Sequence, residues 1–273
     1  MQKLLKFLFL GCIMVMKKEK FMDKVLYTAL GIGGATIIGS LIGFLFKNPS
    51  QKFNDIILSF AAGIMLAASI IGLIMPSLEL GGKYGIIVVA VGVLVGALCI
   101  NLVDKLVPHL HKMTGIDMEK HPEKSASINK VLLFVIAIAI HNLPEGIAAG
   151  VSFGTDNLSH ALTVAGGITL QNIPEGMIII APMIATGMKK GRAFLIALGT
   201  GLIEIVGTLL GYFFATISAV ILPFALAFAG GTMLYVISDE MIPETHSHGF
   251  ERSATFSLLI GFLVMLVVDF FLG

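Results

Sequence analysis

Charge is what this sequence has least of. Of its 273 residues only 13% are charged, while 56% are hydrophobic, against roughly 25% charged in an ordinary soluble domain. That excludes a conventional water-soluble globular chain. Neither sign is in excess, since 18 Lys and Arg face 17 Asp and Glu for a formal charge of +1, and no basic stripe interrupts the apolar runs. Without a positive field to hold a phosphate backbone, no nucleic-acid partner is expected. Cysteine is scarce too. Cys12 and Cys99 sit in separate apolar runs with no CxxC or Cys/His spacing around them, so they give no zinc-finger site and no indication of redox compartment.

What fills the chain instead is a series of apolar runs, over residues 25–46, 56–78, 85–103, 131–153, 161–188, 193–216, 222–242 and 254–272. A helix crosses the bilayer core with ~20 apolar residues, so the expectation is an all-α integral membrane protein with eight transmembrane helices. Asn48-Pro49-Ser50, Gly81-Gly82-Lys83 and a polar loop over 105–130 punctuate the runs, and no stretch is left for a second soluble domain. Residues 25–273 therefore form one membrane domain. Its natural setting is a cell (plasma or inner) membrane, crossed several times.

Lys and Arg are retained on the cytoplasmic side. The loops after spans 1, 3, 5 and 7 hold eleven of them (Lys47, Lys52, Lys105, Lys112, Lys120, Lys124, Lys130, Lys189, Lys190, Arg192 and Arg252), whereas those after spans 2, 4 and 6 hold only Lys83. Both ends of the eight-span unit are thus expected outside. Residues 1–24 resist this, because Lys3, Lys6, Lys17, Lys18, Lys20 and Lys24 crowd before span 1. Residues 4–16 are apolar but too short to span, so the segment reads as signal-like, as an extra helix, or as sequence ahead of a true start at Met22.

The chain matches itself at an offset of 168. Residues 31–46 align with 199–214 with seven of sixteen positions identical, and Phe60-Ala-Ala-Gly-Ile-Met-Leu66 meets Phe228-Ala-Gly-Gly-Thr-Met-Leu234. Span 1 pairs with span 6 and span 2 with span 7, five spans apart, so the copies cross the membrane in opposite directions. Spans 4 and 5 make a third pair, with His141-Asn-Leu-Pro-Glu-Gly146 and Gln171-Asn-Ile-Pro-Glu-Gly176. Such an inverted repeat is typical of secondary transporters with a midplane site. Gly39-x-x-x-Gly43 and Gly207-x-x-x-Gly211 recur in the repeat, as candidates for a dimer contact or for a surface along which one bundle slides on another.

Away from span ends, the ionisable residues in the runs are His141, Glu145, Glu175 and Glu204. A charge at the bilayer centre costs at least ~2.5–3.5 kcal/mol, so three glutamates need compensation. A divalent cation supplies it. His141 and Glu145 are four apart on one helical face with Asn142 beside them, and Gln171, Asn172 and Glu175 repeat the arrangement. Facing helices would offer one cluster of His141, Glu145, Gln171 and Glu175, and a second of Asn142, Asn172, Glu204 and the two shared glutamates. Pro144 and Pro174 each remove a backbone N–H and free the carbonyls of Ile140 and Leu170. One imidazole with carboxylates and amides suits Zn²⁺ and other first-row divalent ions better than a soft thiolate metal.

These two hexapeptides resemble the span 4 and span 5 signatures of the ZIP family of zinc and iron transporters, with the likeness extending over residues 25–273. The resemblance implies a 3+2+3 bundle, a binuclear midmembrane site and movement of metal toward the cytoplasm by an alternating-access or channel-like route. It also implies a homodimer. By that likeness His141, Glu145, Gln171 and Glu175 form the first metal site, and Asn142, Asn172, Glu204 and the shared glutamates the second. Met65 matches a position that lends a thioether to the first site in some bacterial members. Many members carry His where Gln171 stands, and some carry Asp where Asn172 stands, which bears on how tightly the second site holds metal. Zn²⁺ is the expected substrate, with Cd²⁺, Fe²⁺ or Mn²⁺ as alternatives, and no organic cofactor is expected.

Boundary charges suggest a route. Glu79 and Asp269 fall at the outer ends of spans 2 and 8, while Asp104, Asp239, Glu240, Glu244, His246 and His248 fall at the inner ends of spans 3 and 7 and just beyond. His109, His111 and His121 lie in the 105–130 loop, which resembles the family's metal-sensing loop. Two other readings compete. An intramembrane zinc protease would want an H-E-x-x-H helix with two imidazoles, whereas span 4 has one histidine and a proline inside the interval. A Na⁺ or proton pathway could use the same glutamates, but imidazole and amide oxygens would be odd choices for Na⁺ alone, so metal is preferred. No enzyme is expected.

Overall fold

The computed structural model describes residues 22–46, 49–106, 139–155, 157–185, 187–217 and 220–273. Outside them lie almost all of the N-terminal segment, the loop histidines His109, His111 and His121, and the first part of the fourth apolar run. Among the described residues the ordered elements are all helical, and seven helices are long and apolar enough to cross a membrane. In chain order they are α1 (Met22–Gly43), α2 (Gln51–Leu80), α3 (Gly85–Leu106), then a shorter described helix α4 (residues 139–152), α5 (Leu158–Ala185), α6 (Lys190–Ile217), α7 (Leu222–Thr245) and α8 (Glu251–Leu272).

Prolines shape these helices without ending them. Helix α5 runs through Pro174 and Pro182 and stops before Gly187, whose φ of 80° only glycine adopts readily. Helices α2 and α7 each widen into a π-helical stretch, Ala68–Ile74 and Ile237–Met241, just before Pro76 and Pro243. In α2 the Met75 N–H bonds the Ile70 carbonyl five residues back, and Pro76 has no N–H to continue that ladder. His160, at the start of α5, donates from Nε2 to the Gly72 carbonyl at 2.9 Å.

Glycines let the helices meet backbone to backbone. A Cβ on Gly39 or Gly43 of α1 would collide with the Ile173 or Met177 carbonyl of α5, and one on Gly207 or Gly211 of α6 would collide with the Leu143 or Ile147 carbonyl of α4. The two contacts use positions 168 apart in α1 and α6 and 30 apart in α4 and α5. Elsewhere Gly231 of α7 meets Val93 of α3 as Gly63 of α2 meets Leu258 of α8, while Gly33 and Gly201 face each other's carbonyls where α1 crosses α6. The glycine faces read from sequence as dimer contact or sliding surface are therefore filled from within the chain. They lie inside the group α1, α4, α5 and α6 that carries the ionisable residues.

Contacts at the two ends fix directions. Ser77 near the end of α2 donates to the Pro223 carbonyl at the start of α7 (2.6 Å), whereas Asp55 near the start of α2 meets His248, just beyond the end of α7, at 3.1 Å. Helices α2 and α7 run in opposite directions. Between them the largest apolar core gathers Ile32, Ala62, Met65, Ile168, Leu226 and Met233. Met65 and its repeat partner Met233 are both fully buried in this core.

Candidate metal centre

Helices α4 and α5 bring their matching hexapeptides together against Glu204 of α6. Asn142, Glu145, Gln171, Asn172 and Glu204 are all at most 1% exposed. The Glu204 carboxylate accepts from Thr36 Oγ1 at 2.7 Å, from Asn172 Nδ2 at 2.7 Å and from Asn142 Nδ2. With their NH₂ groups committed to Glu204, the two asparagines turn their amide oxygens away from it. Both Oδ1 atoms are buried without a partner, as are Oε2 of Glu145 and both amide atoms of Gln171.

Unpartnered buried polar atoms are rare because each forfeits about 1–3 kcal/mol of hydration. Here they concentrate on α4 and α5, and most are oxygens. Glu145 and Glu204 are both fully buried carboxylates of this group. A cation satisfies orphaned oxygens and offsets carboxylate charge together, whereas a neutral ligand does only the first.

Beside this closed half is a more open one. His141 Nε2 lies 2.8 Å from Glu240 Oε1, and both side chains are 14% exposed. Glu175, in the α5 hexapeptide, is partly buried. Glu240, grouped from the sequence with the boundary charges, thus reaches the first residue of the α4 hexapeptide from the π-helical stretch of α7. Among the described residues no three His, Cys, Asp or Glu side chains already surround one point. The unpartnered oxygens of this group belong to amides and to one carboxylate.

The remaining sequence candidates fall at the two ends. Glu79 is exposed at the end of α2, and Asp269 is partly buried near the end of α8. Asp239 is exposed, while Glu244, His246 and His248 cluster from the last turn of α7 into the α7–α8 turn. The side chain of Asp104 lies outside the described residues. Three residues of interest, Thr36, Asp55 and His160, were not among the sequence candidates, and the contact of Glu240 with His141 was not foreseen. Thr36 aligns with Glu204 in the repeat, so the offset of 168 held that signal. Asp55 stands one position before the second apolar run and looks like a boundary charge. The Glu240 contact and the His160 contact depend on the π-helical stretches and carried no sequence signal.

The sequence pattern of the family described as "ZIP Zinc transporter" matches residues 111–269, more than half of the chain and including both hexapeptides and Glu204. The chain belongs to the ZIP zinc transporter family. It is 41% identical over 254 residues to the zinc transporter GufA of Myxococcus xanthus, covering 91% of this chain and 98% of that protein. It is 40% identical over 255 residues to the zinc transporter ZIPB of Bordetella bronchiseptica (88% and 78%), and 36% identical over 261 residues to the zinc transporter ZupT of Chlorobaculum parvum (90% and 97%). ZIP relatives are named as transporters, which sets this chain apart from the protease reading. With its apolar helices, this ZIP chain is a multi-pass protein of the cell membrane.

Proposed function

We propose that the chain carries divalent metal ions, chiefly Zn²⁺, across the membrane to the cytoplasm through a binuclear site between α4, α5 and α6. The observation that supports this best is the set of buried, unpartnered oxygens on Asn142, Asn172, Gln171 and Glu145 beside the buried carboxylate of Glu204. His141, Glu145, Gln171 and Glu175 hold the first ion. Asn142, Asn172 and the shared glutamates hold the second, with Glu204 fixing both amides so that their oxygens face the ion. For His141 to bind, its ring must leave Glu240. Met65 adds a thioether to the first ion if its sulfur reaches the site from the apolar core.

The wider architecture follows from the same reading. Eight spans form a 3+2+3 bundle with both ends outside, and α1–α3 repeat in inverted form as α6–α8. The opposed directions of α2 and α7 and the doubled glycine contacts support the inversion. Glu79 and Asp269 line the outer mouth. Asp104, Asp239, Glu240, Glu244, His246 and His248 line the inner one, and two chains associate as a homodimer. The imidazole favours Zn²⁺ over harder ions, while the amides leave Cd²⁺, Fe²⁺ and Mn²⁺ as secondary substrates. Uptake of radiolabelled zinc by vesicles reconstituted with the purified chain tests the reading. Uptake above that of empty vesicles, inhibited by unlabelled Zn²⁺ but not by Na⁺, is the expected result; its absence rejects zinc transport.

A further inference from the structure

A second group of polar side chains stands apart from the midmembrane centre. Asp55 lies on the first turns of α2, ten residues or about 15 Å along the helix from Met65, and is only 2% exposed. A carboxylate is seldom buried so completely unless paired. Its Oδ1 accepts from Gln51 Nε2 at 3.1 Å and lies 3.1 Å from His248 Nδ1. Its Oδ2 is buried with no partner. One turn further along the same face of α2, Ser59 Oγ is also buried and unpartnered. Helical hydroxyls usually bond back to the carbonyl four residues earlier, as Ser69 and Thr245 do here. Ser59 does not.

Across from these two orphaned oxygens stands the end of α7, where His248 Nε2 lies 3.9 Å from Glu244 Oε1. The repeat does not require this arrangement, because at the offset of 168 Asp55 and Ser59 correspond to Pro223 and Ala227. Nor does helix contact, which glycine provides at Gly63. What remains unexplained is a buried carboxylate oxygen one helical turn from a buried hydroxyl, both unpartnered, on a carboxylate whose other oxygen meets an imidazole.

We propose that Asp55, Ser59, Glu244 and His248 form a separate divalent-cation site between the start of α2 and the α7–α8 turn. Two carboxylates, one imidazole and one hydroxyl suit a first-row ion such as Zn²⁺. The ion takes Oδ2 of Asp55 and Oγ of Ser59, while the His248 ring pivots off Oδ1 to present a nitrogen. Gln51 stays on Oδ1 and orients the carboxylate, as a partner behind a metal ligand does. The site's role rests on the transport reading, in which this end is the cytoplasmic mouth and the site holds an ion leaving the midmembrane centre. Binding itself does not.

The test uses the full chain in detergent with the midmembrane centre disabled by Glu145→Ala and Glu175→Ala and the loop donors removed by His109→Ser, His111→Ser and His121→Ser. Titration with Co²⁺, followed by its visible absorption and by Zn²⁺ competition, is expected to show one ion per chain. Adding Asp55→Asn or His248→Ala should weaken that binding at least tenfold. No Co²⁺ bound in this background, or binding that His248→Ala leaves intact, overturns the proposal. If the multiple variant does not fold, His248→Ala alone, on the exposed turn, is expected to lower the number of ions bound by the otherwise unchanged chain by one; an unchanged number overturns the proposal. Zinc uptake by vesicles tests transport independently, so the two readings can fail separately.

Discussion

Thr36 and Glu204 occupy matching places in α1 and α6, and the hydroxyl of one donates to the carboxylate of the other at 2.7 Å. At the offset of 168 they are the same position, so a residue and its repeat partner meet directly. The repeat differs there in chemistry, with a donor on one side and an acceptor on the other. That difference lets Glu204 hold Asn142 and Asn172 by their NH₂ groups, leaving both Oδ1 atoms buried without a partner.

Glu204 is accordingly expected to position ligands more than to bind metal strongly itself. Glu204→Gln should keep measurable zinc uptake while lowering occupancy of the second ion, read by metal analysis of the purified chain. Thr36→Val should do the same more weakly, since it removes one donor of three. Complete loss of uptake in Glu204→Gln would show that the second ion is obligatory.

His141→Ala should weaken zinc more than manganese, because imidazole prefers zinc-like ions to hard ones. Competition of each ion against radiolabelled zinc provides the measurement. Equal loss for both would mean that the His141–Glu240 contact is structural and that the first ion binds elsewhere.

Gly43→Leu and Gly211→Leu should destabilise the folded chain, each forcing a side chain into a neighbouring backbone at a cost of about 1–3 kcal/mol or more. A lowered thermal-aggregation midpoint in detergent is the expected sign. A stable monomer with full transport would instead place these glycines at a contact between chains.

His160→Ala removes the imidazole donor from the Gly72 carbonyl. A loss of about 1–3 kcal/mol is expected from an unsatisfied carbonyl, seen as a lower aggregation midpoint. Unchanged stability would mean that water replaces the ring at no cost.

Seven of the spans were legible as apolar runs, and four ionisable residues stood out inside the runs. His141, Glu145, Glu175 and Glu204 all announced themselves that way. Side-chain direction was not legible. The hexapeptides name donors, but only packing against α6 decides that Asn142 and Asn172 spend their NH₂ groups on Glu204. The glycine pairs of α1 and α6 showed small faces without showing what fills them, since carbonyls of α5 and α4 carry no sequence mark of their own. Asp55 was hidden by position, because a charge one residue outside an apolar run looks like an ordinary helix end. The π-helical stretches escaped because widening a helix over one or two turns leaves the apolar pattern intact.

The central claim is that Glu145 and Glu175 are shared between two ions on the route of transport. The measurement that tests it most directly is radiolabelled zinc uptake by vesicles holding equal amounts of the unchanged chain, Glu145→Ala or Glu175→Ala. Saturable uptake by the unchanged chain and background uptake by each variant is the predicted result. Near-normal uptake by either variant would contradict the shared site.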